Sequence, residues 1–484
     1  MSAPILPKLS KYTYKKDLPF REYTLVVTPT GGEKLYAAGE PVSFRIALGN
    51  EKLRCIYGPQ TYGTYEIKAY WTTAAAIATT STLFNGSANS VFSRITTNCN
   101  GGMLEDFNKC NVYIPIVYDL TVSPDVRTNF YSFFGNSTTP IGDGTAVSAN
   151  VENCKSGAYL LTRAGTIAGG ANPITESPWR SFGFLLPSIL GSFSKKLFPV
   201  SEIAGSNMDV DLQMDTCVNA IVSSIATINN YKIQRVRLNL SVVEYNSTIT
   251  EVIRRSYNNT YVIPCVSVQT YTNQYTTSAP GNFNWAINAS LKNAKGMLFS
   301  FRDASTQVQT LSSLTNRTSL GMKEAQLSIG AYTFPANRYL IYDCSQTVTA
   351  AGEVAADNIG SPLWMNEINF WMSAMKFFGV GIDNNTTCST NMTQFNKCYN
   401  TAVHTYGTFV LAFNLEGLHE NDDEFRSCMA LDGNTTNLNF TTGVVSAGTT
   451  TVECFILYEF DVVISQGVAI ATNKYNDFSN QQTK

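Results

Sequence analysis

The sequence predicts an all-β fold of two tandem sandwiches, with long loop insertions and a few short helices. Three observations carry this. Strand-forming residues dominate, with 53 Thr, 27 Phe and 25 Tyr among 484 residues. Apolar and polar side chains alternate with period two along much of the chain, the mark of strands with one face on a core. A short helical pattern at 248–256 separates two β-rich halves of about 220 residues each.

The elements follow in chain order. Residues 42–48 place Val42, Phe44, Ile46 and Leu48 on one face and Arg45 on the other. Residues 65–71 set Tyr65, Ile67, Ala69 and Trp71 against Glu66 and Lys68. At 208–214, Met208, Val210, Leu212 and Met214 alternate with Asp209, Asp211 and Gln213. At 236–242, Val236, Leu238, Leu240 and Val242 oppose Arg237, Asn239 and Ser241. Glu251, Arg254 and Arg255 mark the short helix, read here as a linker. The strand texture returns at 261–268, 296–301, 338–342, 409–415 and 452–464. In the last, Val452, Cys454, Ile456, Tyr458, Phe460, Val462 and Ile464 form one apolar face. Phe455, Leu457 and Val463 opposite them predict partial cover on both sides. Trp364, Ile368, Trp371, Met375 and Phe378 recur at helical spacing between Ser361-Pro362 and Gly379, which predicts a helix packed by its aromatic stripe. The polar stretches 135–178, 382–401 and 430–451 read as long loops. Each half is too long for one immunoglobulin-like unit and suits an eight-stranded jelly-roll sandwich with insertions. The expected division is an N-terminal arm at 1–21, a first jelly roll at 22–247, a linker at 248–257, a second jelly roll at 258–470 and a C-terminal tail at 471–484.

Composition narrows the function. Charged residues make up 14%, against the roughly 25% usual in soluble domains. Net charge is −2, which argues against a dedicated nucleic-acid binder. Only two histidines occur, His404 and His419, so zinc sites and Ser-His-Asp triads are not expected. No nucleophile elbow, Walker loop, dinucleotide fingerprint or C-x-x-C is present. No catalytic residue, cofactor or catalytic metal is expected, while Ca²⁺ held by loop oxygens stays open. The apolar stretch 182–193 is too short to span a bilayer and is interrupted by Pro187. The N-terminus carries no compact apolar signal segment, so the 11 cysteines are expected as reduced, buried thiols. Cys99 with Cys110, and Cys388 with Cys398, are near enough in sequence to pair under oxidation. Twelve N-x-S/T sequons against roughly eight or nine expected by chance give no evidence of glycosylation.

One stretch resembles a known family. Residues 182–214, FGFLLPSILGSFSKKLFPVSEIAGSNMDVDLQM, resemble the most recognisable part of double jelly-roll major capsid proteins. Leu186-Pro187 and Phe198-Pro199 take the two proline positions, and Met208, Val210, Leu212 and Met214 form the strand that follows. Residues 231–245 look like the strand closing the first jelly roll, and Ile249 to Arg255 like the crossover. Phe409 to Glu416, the turn Asp432-Gly433-Asn434 and Leu438 to Thr441 are similar to the end of the second, with Val452 to Gln466 as its closing strand. Asn100-Gly101-Gly102-Met103 is similar to a glycine-rich segment early in the first jelly roll of the smaller members. The compact length looks most like the proteins of virophages and polinton-like viruses of eukaryotes. The resemblance implies homotrimeric, pseudo-hexagonal capsomers tiling an icosahedral shell around double-stranded DNA. It implies neighbouring capsomers, penton and minor capsid proteins as partners, and the virion as location, with assembly in host cytoplasm or nucleus. Contact with a host receptor through surface loops is a further implied partner.

Two rival readings compete with this one. Glycoside hydrolysis needs paired carboxylates, for which Asp209 with Asp211, or the run Glu416, Glu420, Asp422, Asp423 and Glu424, are candidates. A glycan-binding lectin or virion attachment protein needs an aromatic platform, for which Tyr271, Tyr275, Asn282, Asn284 and Trp285 are candidates. Residues 1–21 carry Lys8, Lys11, Lys15, Lys16 and Arg21 against Asp17. Pro4, Pro7 and Pro19 favour an extended segment. This arm is read either as a solvated terminus or as an inner-surface tie between capsomers, its cations near packaged DNA or an inner membrane.

Overall fold

The computed structural model describes residues 20–71, 82–122, 179–186, 197–203, 207–223, 228–277, 281–303, 322–340, 409–415, 428–442 and 448–472, with positions 205, 314, 317, 320, 372–374 and 377. The first half holds β1 (Phe20–Val27), β2 (Tyr36–Ala37), β3 (Pro41–Ala47), β4 (Arg54–Tyr57), β5 (Tyr62–Trp71), β6 (Thr82–Phe84), β7 (Phe92–Cys99) and β8 (Gly102–Asn108). Helix α1 (Cys110–Thr121) follows. Then come β9 (Arg180–Leu185), β10 (Leu197–Phe198), β11 (Asn207–Met214), the single turn α2 (Cys217–Ala220), β12 (Ile221–Ser223) and β13 (Ile228–Tyr245). Five of these strands have two to four residues, which leaves eight of six or more.

A seven-stranded sheet runs β10-β4-β13-β5-β9, with β1 and β2 on the other side of β13. It faces a four-stranded sheet, β3-β11-β7-β8. The alternation at 208–214 shows why: Met208, Val210, Leu212 and Met214 are buried and the residues between them are not. Rings fill the space between the sheets. Tyr65 lies 5.9 Å from Phe92, and Phe184 4.8 Å from Phe92. Gly63 sits opposite Phe184 and leaves room for that ring, which lies 2.0 Å from where a Cβ would stand.

Helix α3 (Ser247–Ser256) links the halves, as its sequence predicts. The Asn246 side chain caps it, accepting from the Ile249 amide at 2.8 Å. The second half holds β14 (Thr260–Thr277), β15 (Asn282–Ile287), β16 (Ala294–Asp303), β17 (Met322–Ile329), β18 (Tyr332–Leu340), β19 (Leu411–Asn414), β20 (Thr436–Thr442), β21 (Gly448–Ser465) and β22 (Val468–Thr472). One sheet runs β14-β21-β16-β19, with β22 on β21, and the other runs β15-β20-β17-β18. Phe301 meets Phe440 across them at 5.5 Å, and Phe299 meets Trp285 at 6.1 Å.

Three features depart from the sequence reading. The stretch 430–451, read as a loop, contains β20, whose outward Asn437, Asn439 and Thr441 mask the buried Leu438 and Phe440. Residues 452–466 do not close the second half, because β22 folds back on β21 through a turn at Gln466 and Gly467. Helix α1 is built of Val, Ile and Tyr around Pro115, residues that favour strands, and burial on nearly every side decides its form. Of the helix read at 361–379, the described Met372–Ala374 and Phe377 are helical, and the rest lies outside the described residues.

Candidate functional site: the seam between the two sandwiches

The two halves meet along a continuous seam. Strand β8 runs beside β14, an edge strand 18 residues long. The Thr270 hydroxyl donates to the Asn108 carbonyl at 2.8 Å, and the Ser267 hydroxyl donates to the Glu105 carboxylate. The β7–β8 turn, with Asn100 and Gly101 at positive φ, reaches the β21–β22 turn. There the Asn100 amide donates to the Gly467 carbonyl at 3.0 Å. The glycine-rich segment singled out in the sequence therefore belongs to the seam. Helix α1 lies against the face of β21 that points away from the second core. Tyr113 packs 5.5 Å from Phe107 and 5.3 Å from Phe455. Phe455 is fully buried there, so β21 is covered on both sides over this stretch.

Charges are buried in this apolar contact. Lys109 adopts φ 56° just before α1, and its ammonium lies 3.2 Å from Glu453 Oε1. Arg302 binds the same carboxylate through two nitrogens, its Nε at 2.8 Å from Oε2. Glu453 is fully buried and Arg302 nearly so. On the other flank Arg317 and Asp119, both buried, meet at 2.7 Å. Such pairs are held only in a narrow geometry, because each partner left alone keeps an uncompensated charge in a poor solvent. Burial, and then the nearby Glu105 carboxylate, push the Tyr458 hydroxyl up to about 12.

The linker is docked on the first half. Arg254 forks onto Glu202 at 2.7 to 3.1 Å and donates to the Asn50 carbonyl at 2.9 Å. The Thr250 hydroxyl accepts from the Leu53 amide at 3.1 Å. Beside it, Arg54 at 2.8 Å and Lys52 at 3.0 Å bind Glu244 and hold its carboxyl below the usual range.

No model of a known protein family matches the chain, and neither does any curated protein. Solved structures do. PBCV-1 VP54, fitted into a reconstruction of the virophage Sputnik, superposes with a TM-score of 0.55 at 9% identity, over 96% of this chain and 99% of that one. The Faustovirus major capsid protein gives 0.55 at 8% identity, over 94% and 92%. The mavirus major capsid protein gives 0.50 at 11% identity, over 95% and 92%. The chain has the double jelly-roll fold of these capsid proteins. Its two sandwiches are the two jelly rolls, and the seam joins one to the other.

The remaining sequence candidates find their places on this frame. Leu186, Phe198, Met208, Val210, Leu212 and Met214 are core residues of the first jelly roll. Pro199 precedes a short turn at Val200–Glu202, and Pro187 lies outside the described residues. Lys8, Lys11, Lys15 and Lys16 also lie outside them, while Arg21 sits in β1 with its guanidinium 4.9 Å from the Tyr23 ring. Asp209 pairs with Arg45 at 2.9 Å, and Asp211 accepts from Asn98 at 3.4 Å, on the outer face of a sheet. The run Glu416 to Glu424, His404 and His419 lie outside the described residues. Trp285 and Tyr275 face the second core, so they do not form a sugar platform with Asn282 and Asn284, which are exposed. Cys99 and Cys110 are buried free thiols, and burial raises both, Cys99 to about 12. Cys388 and Cys398 lie outside the described residues. Among the described residues no three His, Cys, Asp or Glu side chains cluster as metal ligands. Sequence reasoning missed the seam residues Glu105, Lys109, Tyr113 and Glu453. The available signal was Glu453 itself, a carboxylate set inside the apolar run at 452–464.

Proposed function

We propose that this chain is a viral major capsid protein, whose homotrimers form pseudo-hexagonal capsomers that tile an icosahedral shell around double-stranded DNA. The observation that carries the reading is two jelly rolls in one chain, joined along a seam with buried charges. Three such chains present six similar barrels, which is what a six-sided tile needs. Low charge density lets many copies approach closely. The jelly rolls span 22–247 and 258–470, joined by the linker 248–257, with the arm 1–21 and the tail 471–484 at their ends. The protein acts as a structural tile rather than an enzyme and resides in the virion after assembly in host cytoplasm or nucleus. Its partners are copies of itself, penton and minor capsid proteins. The arm, with Lys8, Lys11, Lys15 and Lys16, ties capsomers on the inner side, near DNA or an inner membrane, while Arg21, called with them from the sequence, lies in β1 at the root of the arm.

Sedimentation and negative-stain microscopy of the purified chain test this. The expected result is a trimer burying more than about 2,000 Å² in total, seen as hexagonal plates. A stable monomer at micromolar concentration overturns it. Deleting residues 2–18 is expected to leave trimers intact and weaken shells, increasingly at high salt, while an unaffected shell removes the arm's role.

A further inference from the structure

The two halves repeat one strand order. In the first, β1 and β2 flank β13, with β5 and β9 beyond it, and the facing sheet runs β3-β11-β7-β8. In the second, β14 flanks β21, with β16 and β19 beyond it, and the facing sheet runs β15-β20-β17-β18. Strand β14 therefore corresponds to β1 with β2, and β18 corresponds to β8. The registers agree. Phe20 pairs with Tyr245 at the end of β13, as Thr260 pairs with Ser465 at the end of β21. Tyr332 pairs with Ile329 across a tight turn, as Gly102 pairs with Cys99.

The seam joins β8 of the first half to β14 of the second. Each half owns both sides of such a contact, and the seam uses one side of each. The edge of β1 with β2, and the edge of β18, are left over. Among the described residues β1 and β2 are hydrogen-bonded to β13 and to no other strand, and β18 to β17 alone. Burial marks what β1 lacks. In β14, Ile263, Cys265 and Ser267 are buried. Their counterparts Tyr23, Leu25 and Val27 are only half-buried, and no residue of β1 is buried. Beside them Val26 is 51% exposed, and Tyr332 at the head of β18 is 66% exposed. Edge strands with open apolar side chains invite pairing with another chain.

We propose that β18 of one copy of this chain docks along β1 and β2 of a second copy, repeating the seam between chains. The second copy as occupant rests on the trimer of the shell reading given above. The contact is head-to-tail, and such contacts build a ring when the rotation between copies closes. In a ring of three, the seam within each chain alternates with its repeat between chains. In the seam, Ser267 meets Glu105 and Thr270 meets Asn108 at the same offset of 162 positions, so β8 and β14 run in parallel. The same alignment sets Tyr332 of one copy beside Thr24 of the next, with the exposed Val26 adjoining.

Sedimentation and cross-linking of the full chain test the contact. Val26→Lys and Tyr332→Lys each place a charge at an exposed position, so both chains should unfold at the wild-type midpoint. Each is expected to weaken self-association about 100-fold and leave monomers. Val26→Ile and Tyr332→Phe should keep the trimer. Chains carrying Thr24→Cys and chains carrying Tyr332→Cys, co-expressed and oxidised, should form a disulfide between copies that neither forms alone. Trimers that persist in both lysine variants and give no such cross-link overturn this contact and leave the shell reading standing. A cross-link formed by either cysteine chain with itself makes the contact isologous and also overturns it. Protection of β1 from hydrogen exchange in a monomer, lost on deleting residues 2–18, would give the edge to the chain's own arm and overturn the contact between copies. Open filaments broken by the lysine variants keep the contact and overturn the six-sided tile. A wild-type monomer without the cross-link overturns both.

Discussion

Glu453 is the residue on which the seam turns. It is fully buried and answers two cations, Arg302 from its own jelly roll and Lys109 from the other. Glu453→Gln keeps the shape and removes the charge, leaving Arg302 buried without its counterion. The expected cost is about 3–5 kcal/mol in chemical denaturation. Adding Arg302→Met should recover much of it, since the pair then leaves together. A loss below about 1 kcal/mol in the single variant would mean the pair is solvated and structurally idle. Glu244 offers a pH-dependent counterpart. Its carboxyl is held below the usual value first by the hydrogen bond from Arg54, with help from Lys52 and against the effect of burial. A depressed folded-state value stabilises above the unfolded value of about 4.3 and is lost as pH falls through the folded one. Glu244→Gln should therefore cost about 1 kcal/mol at pH 7, and the gap from wild type should narrow as pH falls below the unfolded value of about 4.3. Unfolding curves at pH 7 and pH 3.5 check it, and an unchanged gap would remove Glu244 as the cause.

At the scale of elements, α1 carries the seam. Tyr113 fills the space between Phe107 and Phe455, so Tyr113→Ala should cost about 3 kcal/mol and loosen the contact between the jelly rolls. Hydrogen exchange should show new opening in β21 and β8 together, and protection equal to wild type would show that α1 is dispensable. The same helix marks the limit of what the sequence discloses. Strands with one wet face were legible, because Val42 to Leu48 and Met208 to Met214 alternate plainly. Helix α1 has no wet face and so no period, and its β-branched residues point to a strand. Strands β13, β14 and β21 each run 18 residues, beyond their alternating cores, because a second covered face at Val243, Val268 or Phe455 erases the pattern. The pairing of Lys109 with Glu453 was beyond reach, since 344 positions separate them and only the folded chain joins them. The proline motif, by contrast, resembled a capsid family on its sequence alone, and its described residues prove to be core.

At the scale of the molecule, the two jelly rolls depend on each other. Residues 258–484 made alone would expose Phe455 and leave Glu453 without Lys109, while the first half alone would bare Tyr113 and Glu105. Each half is expected to be insoluble or to lack a cooperative transition, and the two co-expressed should associate and recover it. A second half that unfolds as sharply alone as within the whole chain would show the seam to be incidental. Interfaces between domains of one chain are often polar and mobile. The buried ionic contacts here argue for one rigid body instead.

The distance in sequence between Lys109 and Glu453 is also a distance in time. At about 5–20 residues per second, a ribosome needs about 20–70 s to travel between them. The first jelly roll is complete once β13 ends at Tyr245, and from then until Glu453 is made it waits with an open face, which the paired strands β14 and β21 then cover. Closing the seam therefore waits on the synthesis of β21. A product truncated before β21 keeps an unsealed apolar face, which marks it for chaperones and proteases.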